Sequence, residues 1–324
     1  MTNHWRLSSL LFLVSLCALS TAGQMKIPVW IDTDPSVERG GHEVDDGFAL
    51  LQAFHSPELQ IQGVSIVFGN ASLPKAWQIG TEIVEKFGPK GLGVYRGAAS
   101  SEDLGKETDA SKALALALQH GPVNILAIGP VTNVATVLKL HPELARNVVQ
   151  IIAVAGRRPG QRFLSGPNQA HGFRDLNFEL DPAAFQVLLD ANVPVVLAPW
   201  EISSKVWIKR EDLERLEHGG PDVQYLVPPA MDWLTWWHDN LGADGFNPFD
   251  TLAVGYLTSP DLFQCTKLKI RINSGPDDTG SETASKTKPF LIVSPNQDSS
   301  HTATYCSDVN SRFKEDLLAR LLSR

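Results

Sequence analysis

Apolar and polar positions along the chain predict strands and helices that take turns. Short apolar runs that stop at Gly, Pro or acidic residues are typical of buried strands. Such runs lie at 27–32, 59–68, 123–128, 148–155 and 193–197. Helical spacing of apolar residues follows at 48–54, 77–87, 111–119, 133–140 and 182–190. This order predicts an α/β fold with a mainly parallel central sheet and helices on both faces.

The second half of the chain has a more helical pattern. Helices are predicted at 211–218, 224–240, 251–256 and 313–322. Residues 274–288 are rich in Ser, Thr, Gly and Asp and lack an apolar period, which predicts a mobile loop or the connection of a hairpin. With no repeat or linker between these segments, we expect one domain over residues 23–324.

The first 22 residues have the pattern of a secretory signal peptide. Arg6 precedes an almost wholly apolar run at 7–19, and Ser20-Thr21-Ala22 supplies the small residues of a cleavage site. The run is short for a bilayer span, and no other membrane segment is evident. We therefore predict cleavage after Ala22 and a secreted or periplasmic protein.

The cysteines and the net charge add two limited predictions. Cleavage would remove Cys17 and leave Cys265 and Cys306, which in an oxidising compartment either form a disulfide or remain buried thiols. The 324-residue chain has a formal net charge of −8, so no overall field would attract nucleic acid or an anionic membrane surface. A cation or a neutral polar molecule remains a suitable partner.

Four aspartates cluster around the end of the first predicted strand. Asp32 and Asp34 end that strand, and Asp45 and Asp46 begin the following helix. Carboxylates this close repel one another unless a cation lies among them, and Ca²⁺ prefers several oxygen ligands. Capping of the helix by Asp45 would explain one aspartate but not four. The cluster therefore predicts a Ca²⁺ site.

A series of blocks resembles the signature of the inosine–uridine-preferring nucleoside hydrolases. The blocks follow in the family's order and span most of the mature chain. They are Asp32-Thr33-Asp34-Pro35, Val44-Asp45-Asp46-Gly47-Phe48-Ala49-Leu50, Phe68-Gly69-Asn70, Ile128-Gly129-Pro130-Val131-Thr132-Asn133, Asp175-Leu176-Asn177 with Asp181-Pro182, and Phe249-Asp250-Thr251-Leu252-Ala253-Val254.

The resemblance implies a fold, a reaction and a set of site residues. The family fold is an α/β sheet with Ca²⁺ at its carboxyl edge, and the reaction splits the N-glycosidic bond of a ribonucleoside into ribose and free base. Ca²⁺ would be held by the carboxylates of Asp34, Asp46 and Asp250 and by the backbone carbonyl of Thr132. The sugar-binding residues would be Asp45, Asn70, Asp175 and Asn177, with Asn168 as a looser candidate.

The residue types suit that reaction. A Ca²⁺-bound water has a lowered pKa, and Asp34 would take its proton as general base. The sugar gains positive charge as the bond to the base stretches, and the surrounding carboxylates would stabilise that charge. Asp32 would then support the site from behind rather than bind the cation. The oligomeric state stays open, a homo-oligomer included.

Three departures from the family pattern affect these expectations. Residues 36–43 replace a short Gly-containing turn and either reshape the sugar side of the site or bulge outward. Phe249 stands where several members have the histidine assigned to leaving-group protonation. Asp175 stands where glutamate is common, so its shorter side chain could lose the direct sugar contact. Base stacking or leaving-group activation could instead come from Trp233, Trp237 and His238, or these residues could simply pack a helix.

Two other functions compete with nucleoside hydrolysis. An Asp-x-Asp pair after a first strand also marks haloacid-dehalogenase-type phosphatases, but the later blocks differ and no partner lysine is evident. The changes at Phe249 and Asp175 also fit an exported Ca²⁺-dependent nucleoside- or sugar-binding protein that has lost catalysis. Release of free base from a nucleoside would separate these readings.

Overall fold

A nine-stranded sheet forms the centre of the molecule in a computed structural model that describes residues 26–280 and 286–323. The strands are β1 (Ile27–Thr33), β2 (Leu59–Ile66), β3 (Val94–Arg96), β4 (Val123–Ala127), β5 (Val148–Ala153), β6 (Val195–Leu197), β7 (Phe263–Pro276), β8 (Thr287–Ser294) and β9 (Thr302–Val309). Their order across the sheet is β3-β2-β1-β4-β5-β6-β9-β7-β8. The neighbours from β3 to β9 pair in parallel, whereas β7 pairs antiparallel with both β8 and β9.

Eleven α-helices accompany these strands in the described part of the chain. They are α1 (Asp45–Phe54), α2 (Leu73–Phe87), α3 (Asp109–His120), α4 (Thr132–Leu140), α5 (Leu176–Leu180), α6 (Pro182–Asp190), α7 (Trp200–Ser203), α8 (Arg210–Leu216), α9 (Pro221–Leu241), α10 (Thr251–Thr258) and α11 (Phe313–Leu322).

Helices cover both faces of the sheet because successive strand residues point to opposite sides. Val29 and Ile31 of β1 belong to one apolar cluster, with α1, α2 and α8–α11, whereas Trp30 belongs to the other, with α3, α4 and α6. Strands that bury both faces read as continuous apolar runs, which is why the sequence pattern locates them. The predicted α/β single-domain fold is confirmed.

The antiparallel part of the sheet was not predicted. We expected a mainly helical second half, but 263–309 contains β7, β8 and β9. Strand β7 alternates buried and exposed positions irregularly and carries Lys267, Lys269 and Arg271, so it lacks an apolar run. The connection between β7 and β8 is that of a hairpin, as one of the two alternatives for 274–288 proposed.

The same part of the sheet settles the pairing of the two cysteines. Cys265 of β7 and Cys306 of β9 are direct neighbours across the antiparallel pair, and a disulfide joins them. Along the described residues, no helix combines the length and apolar character that crossing a membrane requires. The predicted signal peptide, residues 1–22, lies outside the described residues.

Candidate active site at the carboxyl edge of the sheet

A cavity of about 290 Å³ lies beyond the carboxyl ends of the parallel strands. Ligand crevices of open α/β sheets form at this edge because the loops that follow the strands meet there. Asn70 follows β2, Ile128 follows β4 and Val154 follows β5. The polar lining residues are Glu43, Asp45, Asn70, Arg174, Asp175, Asn177 and Asp250, and the aromatic ones are Phe163, Phe173, Trp200, Trp233, Trp237 and Phe249.

Four buried carboxylates form what we call the carboxylate floor: Asp34, Asp45, Asp46 and Asp250. Asp45 and Asp46 begin α1, and Asp250 directly precedes α10. Asp45, Asp46 and Asp250 each place a carboxylate oxygen within 4.8 Å of the others. Three such oxygens converging in a buried site are a suitable donor set for a hard divalent cation.

Asp34 lies directly after β1 and is held by its neighbours. Its Oδ2 accepts a 2.7 Å hydrogen bond from the backbone N–H of Asn70, and its backbone N–H donates to Asp46 Oδ1 over 3.1 Å. A Cβ at Gly69 would lie 1.8 Å from Oδ2, and one at Gly129 would lie 2.9 Å from Oδ1. Both glycines are therefore required for this close approach.

Two oxygens of the floor are buried without a partner. Asp34 Oδ1 and Asp45 Oδ1 have no hydrogen bond within the described part of the chain. Burial holds the pKa of Asp34, Asp45 and Asp250 well above the usual range, and repulsion from neighbouring carboxylates adds to this effect. Burial also raises the pKa of Asp46 to about 6. An uncompensated set of this kind fits a bound cation, which would relieve both costs.

Asp32 and Thr132 lie behind the floor. Asp32 Oδ1 accepts hydrogen bonds from Ser65 Oγ and, over 2.8 Å, from Asn133 Nδ2, and burial raises the pKa of Asp32 to about 7. Asp32 and Asp34 both lie outside the close group formed by Asp45, Asp46 and Asp250, so the predicted roles of Asp32 as a support and of Asp34 as a ligand stay predictions. Thr132 is buried, and its hydroxyl donates to Asp181 Oδ2 over 2.6 Å. Its predicted role as a ligand through the backbone carbonyl stays a prediction.

The structure brings Asn70, Asp175 and Asn177 to the cavity but not Asn168. Asp175 Oδ2 accepts a 2.9 Å hydrogen bond from the backbone N–H of Gly156, and burial raises the pKa of Asp175 to about 7. Asn177 Nδ2 donates to the carbonyls of Ile128 and Val154. Asn168 is exposed and packs against Gly242, at the end of α9, so it does not line the cavity.

The six aromatic lining residues form what we call the aromatic wall. Trp233 and Trp237 are one helical turn apart on α9 and both line the cavity, as their spacing predicted. Phe173 and Phe249 contact Trp237, with ring centroids 5.7 and 6.3 Å away. His238 points to solvent instead, with 66% of its side chain exposed, and pairs with Asp239. It does not line the cavity, because the next position along a helix is turned away from its neighbour.

Comparison with known proteins identifies the family. The sequence profile of the family described as inosine-uridine preferring nucleoside hydrolase matches residues 29–315. The chain belongs to this family. A pyrimidine-specific ribonucleoside hydrolase, RihA, from Citrobacter koseri is 26% identical over 329 residues, covering 92% of this chain and 99% of that protein. The resemblance seen in the sequence blocks is thus confirmed.

Solved structures show the same fold as this nucleoside hydrolase. The plant nucleoside hydrolase PpNRh1 has a TM-score of 0.76 at 21% identity and covers 92% of this chain and 99% of its own. A purine-preferring ribonucleoside hydrolase from Gardnerella vaginalis has a TM-score of 0.73 at 16% identity, with coverage of 91% and 98%. Family membership makes the chain a hydrolase that acts on nucleosides.

Several cavity residues of this nucleoside hydrolase were missed by the sequence reasoning. Glu43 stands directly before the Val44-Asp45-Asp46 block, and Trp200 follows β6, so position after a strand or beside a motif could have indicated both. Phe163, Phe173 and Arg174 come from the irregular segment between β5 and α5. No periodic pattern marks that segment.

Proposed function

We propose that this enzyme hydrolyses the N-glycosidic bond of ribonucleosides in a Ca²⁺-dependent reaction, releasing ribose and a free base. The observation that carries the proposal is the pair of partnerless oxygens, Asp34 Oδ1 and Asp45 Oδ1, in a carboxylate floor beside an aromatic wall. The floor suits a cation and a sugar diol, whereas the wall suits a planar base.

The cation would be held by Asp34, Asp46 and Asp250, with the carbonyl of Thr132 as a further ligand. Oxygen donors of this kind favour Ca²⁺ over the softer transition metals. When bound, such a cation lowers the pKa of a coordinated water and anchors sugar hydroxyls. Asp45, which shares the close carboxylate group, would accept a hydrogen bond from one of those hydroxyls.

Asp34 would act as the general base. The hydrogen bond from Asn70 fixes one of its oxygens, and the other is left free to take a proton from the attacking water. The water oxygen bonds to C1′ as the bond from C1′ to the base nitrogen breaks and leaves its electron pair on the base. The floor carboxylates would stabilise the positive charge that develops on the sugar ring.

The aromatic wall would serve the departing base. Because Phe249 cannot donate a proton, leaving-group activation would depend on stacking against rings such as Trp233 and Trp237. The names of relatives point both to pyrimidine and to purine substrates, so base preference is tested rather than assigned.

Inosine, uridine, adenosine and a phosphomonoester, each incubated with and without a chelator, test the proposal. We expect release of free base that stops when Ca²⁺ is removed and returns when it is restored. Release of phosphate would instead indicate the phosphatase chemistry. Binding of nucleosides without release of base would indicate a binding protein, the function that the substitutions at Phe249 and Asp175 favour.

We also propose that the protein is exported to an oxidising compartment. The signal pattern at 1–22 and the disulfide between Cys265 and Cys306 support this. Fractionation of the native host, with mass determination of the mature N-terminus, tests it. Retention of residues 1–22 on a cytoplasmic protein would overturn it.

A further inference from the structure

The segment 36–43, which replaces a short turn of the family, is fastened to the rest of the molecule. Arg39 pairs with Asp232 of α9 over 2.5 Å, and the Gly40 N–H donates to the same carboxylate over 2.9 Å. Glu38 pairs with Lys75 of α2. Val37 is buried in the core, whereas Arg39, Gly40 and His42 are exposed, so the segment is anchored near its start and reaches solvent in its middle.

This fastening also places Gly41 in a conformation that suits glycine. Its φ is +84°, and a Cβ there would lie 3.1 Å from Trp236 Cβ. The two ends of the segment are tied to each other, since Ser36 Oγ donates to the Glu43 carbonyl over 3.1 Å. The segment is therefore a structured loop that ends at Glu43, directly before the floor residues.

Glu43 is half-buried, and its side chain lines the cavity together with Asp45 and Asp250. Within 26–280 and 286–323, its carboxylate has neither a hydrogen bond nor an ion pair. Its charge also raises the pKa of Asp45 more than any other neighbouring carboxylate does. Glu43, like Asp34, lies outside the group of converging carboxylate oxygens formed by Asp45, Asp46 and Asp250.

A carboxylate that is kept in a cavity without a partner is costly unless a ligand supplies a donor. The groups of a ribonucleoside that can donate to a carboxylate beside Asp45 are the hydroxyls of its sugar. Asp175, which also lines the cavity, is one methylene shorter than the common glutamate and already accepts a hydrogen bond from the Gly156 N–H. The inserted loop thus offers a further carboxylate to a sugar whose contact with Asp175 is weakened.

We propose that Glu43 is a sugar-binding residue supplied by the inserted loop, accepting a hydrogen bond from one ribose hydroxyl. The proposal rests on the proposed function and adds a sugar contact from the inserted loop. Glu43 positions the sugar and does not join the cation's ligands.

Binding of inosine and of 2′-, 3′- and 5′-deoxyinosine to the wild-type protein and to Glu43→Ala tests this proposal. A hydrogen bond to a charged acceptor is worth enough that inosine should bind roughly tenfold more weakly to Glu43→Ala. Glu43→Gln, which keeps an acceptor oxygen, should lose less. The analogue that lacks the contacted hydroxyl should bind equally to both proteins, because the contact is already absent.

Glu38→Ala is the matched control, since it removes a carboxylate from the same loop but outside the cavity. Equal weakening of inosine and all three analogues, or no weakening of any, would overturn the proposal. Loss of Ca²⁺ binding by Glu43→Ala as complete as that of Asp46→Asn, measured by calorimetry, would show a metal ligand and overturn it as well.

Failure of the proposed function would be distinguishable from failure of this proposal. If the wild-type protein releases no base, calorimetry with unconsumed inosine gives the same comparison of dissociation constants. If the wild-type protein turns inosine over, KM for inosine and the inhibition constants of the analogues give this comparison.

Discussion

The carboxylate floor and the aromatic wall meet in one cavity but are built differently. The floor comes from the end of β1 and the starts of α1 and α10, where regular elements fix each backbone position. The wall draws on α9, on α7, on the irregular segment between β5 and α5, and on Phe249, directly before the floor residue Asp250. The floor is therefore set by the sheet, whereas the wall can change with its loops while the sheet remains.

The two regions also differ in whether their side chains have interaction partners within the protein. Among the described residues, the floor keeps two carboxylate oxygens without hydrogen-bond partners, which under the proposed function a cation would balance. The wall rings pack on one another, as Phe163 and Trp200 do with centroids 5.2 Å apart. Changes in the floor should therefore affect turnover strongly, and changes in the wall should weaken binding of the base and reduce turnover to a smaller extent.

The largest effect is expected from Asp34→Asn. The amide cannot take a proton from water, so kcat should fall by about 10²–10⁴-fold, the usual contribution of a general base. Steady-state release of base from inosine at saturating Ca²⁺ measures this. Inosine binding should be largely retained in the same variant. Turnover at the wild-type rate would show that Asp34 is not the base.

The next effect is expected from Gly69→Ala, which changes no floor residue itself. The added Cβ would clash with Asp34 Oδ2 and displace the carboxylate, and a misplacement of about 1 Å can cost roughly 10²-fold in rate. The loss of rate is measured by comparing kcat of Gly69→Ala with kcat of Gly91→Ala, a control whose added Cβ would meet open space. Because Gly91 has a positive φ, thermal unfolding of both variants separates loss of stability from loss of rate.

The sequence could predict the floor residues better than the wall residues. Asp34, Asp45, Asp46 and Asp250 follow from motif and strand position, since the carboxyl ends of parallel strands share one edge. That the cavity includes Phe163 and Phe173 could not be predicted, because irregular segments carry no period that places a side chain. Strand β7 was missed for a related reason, because its buried and exposed positions alternate irregularly and it has no continuous apolar run.

A third prediction concerns the buried carboxylates in and around the floor when Ca²⁺ is absent. Burial raises the pKa of Asp32 and Asp175 to about 7 from an ordinary value near 4, so between those values the folded protein binds more protons than the unfolded chain. Stability of the chelated protein should thus fall as pH rises from 5 to 8, by a few degrees in Tm. Thermal unfolding in chelator and in Ca²⁺ across this range measures it, and Ca²⁺ should raise Tm more at pH 8. A chelated protein that becomes more stable with rising pH would contradict the burial of uncompensated carboxylates.

A smaller effect is expected from the wall, where Trp233→Leu removes one ring and keeps apolar volume. Stacking contributes about 0.5–1.5 kcal/mol, so KM for inosine should rise by roughly two- to tenfold while inhibition by ribose stays unchanged. Ribose is the control because it has no base to stack. Equal weakening of ribose and inosine would mean that Trp233 supports the whole cavity rather than the base.

The smallest effect is expected from a substitution on the exposed face of α9, away from the rings that belong to the wall. His238→Gln removes the only titratable group among the α9 candidates, but the side chain lies in solvent beside Asp239. We therefore expect kcat and KM within about twofold of wild type, in line with surface substitutions generally. The pH profile of kcat should also keep its shape, because a leaving-group acid would shift it whereas an exposed side chain would not. A changed profile would mean that α9 presents His238 to the substrate, and that the wall activates the base by proton transfer rather than by stacking.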